Sequence, residues 1–333
     1  MRPLSAAAVA LLAACRSVPP EVAPRAEPAG RAQPPIAYAI PPWARHLKGV
    51  RVAIDPGHGG DADRPGYKRG PTGVREAEAN LRVGLALAGM LEAAGAIPVL
   101  TRREDRDVSL VERARIAERE GCDLFLSIHH NAISDPSRNF GTVWVHADPD
   151  HSPASLDLAW SIHREVNRIL DLPQSADCPI LSDRLMYERG FAVLREASMP
   201  AVLSEASFHT NPEEERRLSD PEYNRREAYG HFLGLARHAE GGLPRASLLA
   251  PRVGPADPVL RVALDDGLQA RKGWGSDRPR ILEGSISVRV DGLPVPHDYD
   301  GVAGRISVDA SGLGSGMHSL DLRFENVFKH SNH

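Results

Sequence analysis

Between about residues 50 and 240 the chain alternates short, nearly continuous apolar runs with longer amphipathic stretches. The first run, 50–54, opens into the Gly-rich loop of GVRVAIDPGHGG. A helical period follows over 76–94, with Leu81, Leu85 and Ala88 on one face and Gly95 as its stop. AIPVLTR (96–102) then reads as a strand, SLVERARIAERE (109–120) as a helix and DLFLSIHHNA (123–132) as a second buried strand. GTVWVHA (141–147), a helix over 155–170, the strand MPAVLSEASF (199–208) and a helix over 222–239 continue the series. Strands alternating with helices build a mainly parallel sheet covered on both faces, so residues 48–241 are predicted to form a three-layer α/β domain.

Beyond a connector containing Pro and Gly, the period changes from helical to two. VLRVALDDG, SISVRVDG, GRISVDASG and SLDLRFEN each alternate apolar and polar residues before a turn, with Asp291-Gly292 as a hairpin signal. Leu320, Leu322 and Phe324 share one face of the last run. Residues 256–333 are therefore expected to form a small immunoglobulin-like β-sandwich. At the other end, residues 16–47 are rich in Pro and Ala without either period and read as an extended tether. Residues 1–15 place one Arg before an apolar run too short to span a bilayer, which is a signal-peptide pattern. Leu12-Ala13-Ala14-Cys15 resembles the lipobox of bacterial lipoproteins, in which the Cys is acylated. That resemblance implies a periplasmic protein anchored to the membrane through Cys15, with Arg16 favouring the outer membrane.

Composition narrows the partners. A formal net charge of -4 and no sustained Lys/Arg run argue against nucleic acid. Apart from Cys15, the chain has Cys122 and Cys178, which an oxidising compartment would allow to pair, although nothing in the sequence brings them together and a buried free thiol is the equal alternative.

The polar residues at the ends of the apolar runs carry the candidate chemistry. His58 lies in a Gly-flanked loop after a buried strand, where it is either a solvent-facing loop residue or a metal ligand. Glu76 opens the first helix, where a carboxylate also serves simply as a charge complementing the helix dipole. His129 and His130 end a strand, and a period of two sends their rings to opposite sides, so only one can enter a given site. Glu205 ends another apolar strand, solvated in the plain reading and a general base if buried. Two His and one Glu gathered at one sheet end make a three-ligand zinc site with an open fourth position.

AIDPGHGG, EAEANL, SIHHNA and AVLSEASFHTNPEE occur in the order in which the zinc-dependent N-acetylmuramoyl-L-alanine amidases of bacterial cell-wall hydrolysis carry their motifs, and residues 50–239 resemble that family. The resemblance implies His58, Glu76 and His129 as Zn2+ ligands and Glu205 as the catalytic base. It implies peptidoglycan as substrate, cleaved at the amide bond between N-acetylmuramic acid and L-alanine of the stem peptide. TRREDRDVSLVERARIAE resembles a family segment read as scaffold, which makes Arg102 and Arg113 structural. Two departures stand out. His130 occupies a position that is small in the family, and SEASFHTN replaces its Glu-Thr-Gly-Phe pattern, leaving His130 and His209 to support the ligands or touch substrate. The span between GTVWVHA and FAVLRE holds one main helix and no long inhibitory insert, which points to activity without an activator, although a protein activator stays open as a partner. Two other readings are a zinc carboxypeptidase-like enzyme acting within the stem peptide and a wall-binding lipoprotein without catalysis. In the C-terminal region, Trp274 and Tyr299 read as packing residues or as a sugar platform.

Overall fold

The computed structural model describes residues 36–147, 152–249, 253–254, 257–268 and 279–332. The signal peptide, Cys15, residues 16–35 of the expected tether and Trp274 lie outside the described residues. The first domain contains β1 (Arg51–Pro56), α1 (Glu76–Ala93), β2 (Ile97–Leu100), α2 (Leu110–Arg119) and β3 (Leu124–Asn131). It continues through β4 (Thr142–Val145), α3 (Pro153–Leu170), β5 (Ile180–Ser182), α4 (Ala192–Arg195), β6 (Ala201–Phe208), α5 (Pro212–Leu218) and α6 (Pro221–Glu240). The short elements β5, α4 and α5 were not foreseen. Ser109, Ser152, Asn211 and Asp220 cap their helices by accepting main-chain N–H groups, as short polar side chains do at an N-cap.

The strand order is β2-β1-β3-β6-β4-β5. β1, β2, β3 and β6 run parallel, while β4 lies antiparallel to β6. Alternation along the strands divides the core. Val52, Ile54, Leu124, Leu126, Ile128 and Val202 pack with residues of α1, α3 and α6. Ala53, Phe125, Ala201 and Leu203 pack with Ala117 of α2 and with Val193 and Leu194 of α4. The three-layer arrangement follows from this division.

Three expectations need correction. The buried stripe of α1 is Ala79, Val83, Leu87 and Leu91, whereas Leu85 is exposed. An alanine-rich helix offers nearly equivalent apolar stripes, and the leucines alone marked the wrong one. The tether expected over 16–47 is shorter at its C-terminal end. Pro42–Leu47 forms a 3-10 helix with Ala44 and Leu47 fully buried. The Tyr38 hydroxyl donates to Glu222, the Tyr229 hydroxyl donates to the Ala39 carbonyl, and the Arg237 guanidinium lies over the Trp43 ring. Finally, the β-rich region begins before residue 256, because β7 (Arg245–Leu248) pairs antiparallel with β8 (Val259–Asp265).

The remaining strands are β9 (Ser287–Val290), β10 (Leu293–Pro294), β11 (Asp298–Asp300), β12 (Arg305–Asp309) and β13 (Leu320–Arg323). They complete antiparallel sheets ordered β10-β9-β13 and β11-β12-β8-β7. Val262, Leu264, Ile306 and Val308 from the larger sheet meet Val288 and Phe324, with Leu320 and Leu322 against them, in one core. This is a β-sandwich, and Tyr299 is part of its packing. Asp291 and Gly292 both have positive φ, the conformation a two-residue hairpin of this type requires. Cys122 is buried, Cys178 is exposed, and the two are not bonded to each other.

The sandwich meets the first domain at the end of the sheet where β3 and β6 begin. The Asn326 side chain donates to the Gly241 carbonyl, the Ser331 N–H donates to Asp157, and Arg245 pairs with Asp123. Because Leu47 is fully buried in the core, Leu47→Ala should cost about 2–5 kcal/mol, as a buried Leu truncation does. Urea unfolding measures this, and an unchanged midpoint would return the segment to the tether.

Candidate active site

Three loops converge at the opposite end of the sheet, where β1, β3 and β6 finish. After β1 the chain turns sharply. His58 has φ 58° and Gly59 φ 116°, placing a non-glycine residue in the left-handed region, where strain persists only if the surroundings hold it. Two buried arginines do so. Arg102 donates to the carbonyls of Pro56 and Gly57, and Arg113 donates to those of Pro56 and His58. Both act as scaffold, as anticipated. Gly57 is required by close approach, since a Cβ there would lie 2.2 Å from the His129 ring.

Asp55 anchors this clamp. Its carboxylate is 1% exposed and accepts from Thr101, Arg113 and Ser127. Burial alone would raise its pKa, but the Arg113 guanidinium and the two hydroxyls overcome that and hold it below its ordinary value.

Glu76, at the first turn of α1, is only 2% exposed. Its Oε1 lies 3.1 Å from His129 Nδ1 and accepts the main-chain N–H of His130 at 3.1 Å. Its Oε2 lies 3.2 Å from His58 Nε2. Burial opposes the charge on Glu76, yet its contacts with His129 and His58 keep its carboxyl well below the usual range. Burial also lowers the pKa of His129, favouring the neutral ring that a metal needs.

One potential ligand atom from each of His58, Glu76 and His129 lies within 4.8 Å of the other two. The spacing suits a small cation. A tetrahedral zinc with nitrogen and oxygen ligands places them about 3.3 Å apart, close to the 3.1 and 3.2 Å contacts here. His58 Nε2 and Glu76 Oε2 are buried and have no hydrogen bond despite their proximity, so two polar atoms face each other unsatisfied. A donor set of two imidazoles and one carboxylate is among those that hold catalytic zinc.

Glu205 lies directly across from His129 in the β3–β6 ladder. It is partly exposed, but its Oε2 is buried without a hydrogen-bond partner. Burial, reinforced by the nearby Glu76 carboxylate, pushes its pKa up to about 8. His130 points to the other face, as the period of two requires. Its ring nitrogens contact Asn80 and Glu227 at 2.8 and 2.9 Å. Burial works against a charge there, but Glu227 lifts the imidazole to about 9. His209 is buried, with Nδ1 donating to the His130 carbonyl and lying 3.9 Å from Glu76 Oε2. Asn80 and Glu227 were not singled out in the sequence; Asn80, four residues after Glu76 on a helix that faces the site, carried the only readable signal.

A family profile described as N-acetylmuramoyl-L-alanine amidase matches residues 52–237, more than half of the chain. The chain belongs to this family. The N-acetylmuramoyl-L-alanine amidase CwlM of Bacillus licheniformis is 32% identical over 191 residues, covering 56% of this chain and 68% of that protein. A sporulation-specific N-acetylmuramoyl-L-alanine amidase of Bacillus subtilis is 34% identical over 188 residues, covering 56% and 67% respectively. The crystal structure of the amidase Ami1 from Mycobacterium smegmatis covers 58% of this chain and 98% of its own, with TM-score 0.51 and 21% identity. That likeness is one of fold. Family membership makes the chain a hydrolase of the amidase type, and the match ends before the β-sandwich.

The Asp55 clamp gives a pH signature. A depressed folded pKa contributes stability above the ordinary value of 3.8 and loses it as pH falls through the lower folded value. Asp55→Asn should therefore cost about 3–5 kcal/mol at neutral pH by leaving Arg113 buried and unpaired. Its deficit relative to the native protein should shrink below about pH 4. Denaturant titrations across pH test this, and a deficit constant with pH would reject it.

Proposed function

We propose that this protein is a zinc-dependent N-acetylmuramoyl-L-alanine amidase, hydrolysing the amide bond between N-acetylmuramic acid and the L-alanine of the stem peptide in peptidoglycan. The observation carrying this reading is the convergence of His58, Glu76 and His129 with the buried Glu205 Oε2 beside them, in a chain of the amidase family. His58, Glu76 and His129 are the residues to hold the metal. When bound there, zinc supplies a Lewis acid that polarises the scissile carbonyl and acidifies water.

The chain's own residues do the rest. Glu205 takes the proton of the attacking water and returns it to the departing amine of L-alanine. Its burial makes it basic enough for the first step and readily protonated for the second. The Arg102 and Arg113 contacts keep His58 aimed while charge shifts at its neighbours. Products are a lactyl carboxylate on the glycan and a stem peptide with a free L-alanine amine.

Glu205→Ala should retain zinc but lose activity by about 10²–10⁴-fold, and chelation should abolish it. Digestion of purified peptidoglycan with product identification by mass spectrometry tests both. Shortened stem peptides in place of intact ones would replace this reading with a peptidase, and no product from the zinc-loaded protein would favour a wall-binding role.

Regulation and location are part of the proposal. Among the described residues, α3 is the one long helix between β4 and α4, which supports turnover without an activator in the same digestion. The N-terminal sequence supports a periplasmic chain anchored to the outer membrane by lipid on Cys15; no helix among the described residues is long and apolar enough to cross a membrane. Cys15→Ala should move the expressed protein from the membrane fraction to the soluble one, and continued membrane retention would remove the anchor.

A further inference from the structure

A line of buried polar side chains leaves the metal group and enters the core between the sheet and helices α1 and α6. Asn80, His130 and Glu227 are 0%, 2% and 0% exposed. The Asn80 amide nitrogen donates to the Gly57 carbonyl at 3.2 Å and makes a longer contact of 3.5 Å with Glu76 Oε1. With its nitrogen committed to two acceptors, its oxygen faces His130 Nδ1 at 2.8 Å and accepts from it. His130 Nε2 then faces the Glu227 carboxylate at 2.9 Å.

The orientation of every group in the line is thus dictated by its neighbour. Asn80 is the junction, because one amide touches both Glu76 and the carbonyl preceding His58. The main-chain N–H of His130 gives Glu76 Oε1 a further donor, so the His130 ring and backbone act on the same carboxylate from two directions.

A merely stabilising role fits the line poorly. Glu227 Oε1 is buried without a partner, and a buried ion pair that leaves an oxygen unsatisfied is commonly no better than apolar packing. Groups that orient metal ligands, in contrast, strongly affect metal retention.

We propose that Glu227, acting through His130 and Asn80, is a positioning residue for Glu76, holding its carboxylate toward His58 and His129 so that zinc is retained. The inference rests on the zinc reading of the site.

The test compares zinc affinity of the full chain, by competition with a chromophoric chelator, with thermal stability of the metal-free protein. His130→Leu/Glu227→Leu replaces the pair by apolar side chains and frees the Asn80 amide. The double variant should keep its metal-free melting temperature while binding zinc about 10- to 100-fold more weakly. Glu227→Gln, which preserves shape, provides a second reading if the double variant does not fold, with a several-fold weakening expected. Unchanged zinc affinity in the folded variants would overturn the positioning role. Failure of the native chain to bind zinc would instead overturn the reading of the site, and the inference with it.

Discussion

The structure depends on the burial of one carboxylate. Glu76 is at the first turn of α1, almost wholly removed from water, and an ionised group there is costly unless its oxygens are satisfied. The His130 N–H and the rings of His58 and His129 surround it. Each of those groups comes from the C-terminal part of a strand or the loop after one, so placing Glu76 demands that the ends of β1 and β3 meet the start of α1. The rigid sheet supplies that register, and the β1–β3 pairing runs to the last residue of β1.

The loop bearing His58 has little apolar packing to hold it, and polar contacts replace such packing. Arg102 and Arg113 spend their donors mainly on carbonyls and on Asp55. These are bonds from charged donors in a dry environment, where each is stronger than a neutral bond in water. The left-handed backbone at His58 is thereby over-determined from outside, and the protein's own contacts set the position of the imidazole.

The outline of this site was legible because His129 and Glu205 interrupt otherwise apolar runs, although β3 and β6 continue past them to Asn131 and Phe208, and a Gly-rich loop after an apolar run announces His58. The sandwich was legible from its period of two. What escaped depends on contacts between distant positions. Residues 36–47 look like a Pro-rich linker until α6 provides Tyr229 and Arg237 for them to meet. β7 has its partner in β8 beyond a connector, and its four residues show no long alternation of their own. Glu227 lies 97 positions from His130, in a helix whose pattern gives no reason to prefer that charge. Register along one strand can be read locally, but pairing between a strand and a helix a hundred residues away requires the packed fold.

The sandwich extends the same logic to the far end of the sheet. It meets the first domain through Gly241, Asp157 and Asp123, positions flanking the starts of β3 and β6 or the facing helices, whereas His58, Glu76, His129 and Glu205 gather where the strands finish. Among the described residues, the His58, Glu76 and His129 group draws its side chains from the first domain alone. The two ends of the sheet therefore carry separate tasks. The strands that join the two ends run through a core in which Leu124, Leu126, Ile128 and Val202 are all fully buried, and such close packing resists displacement of one strand against the next.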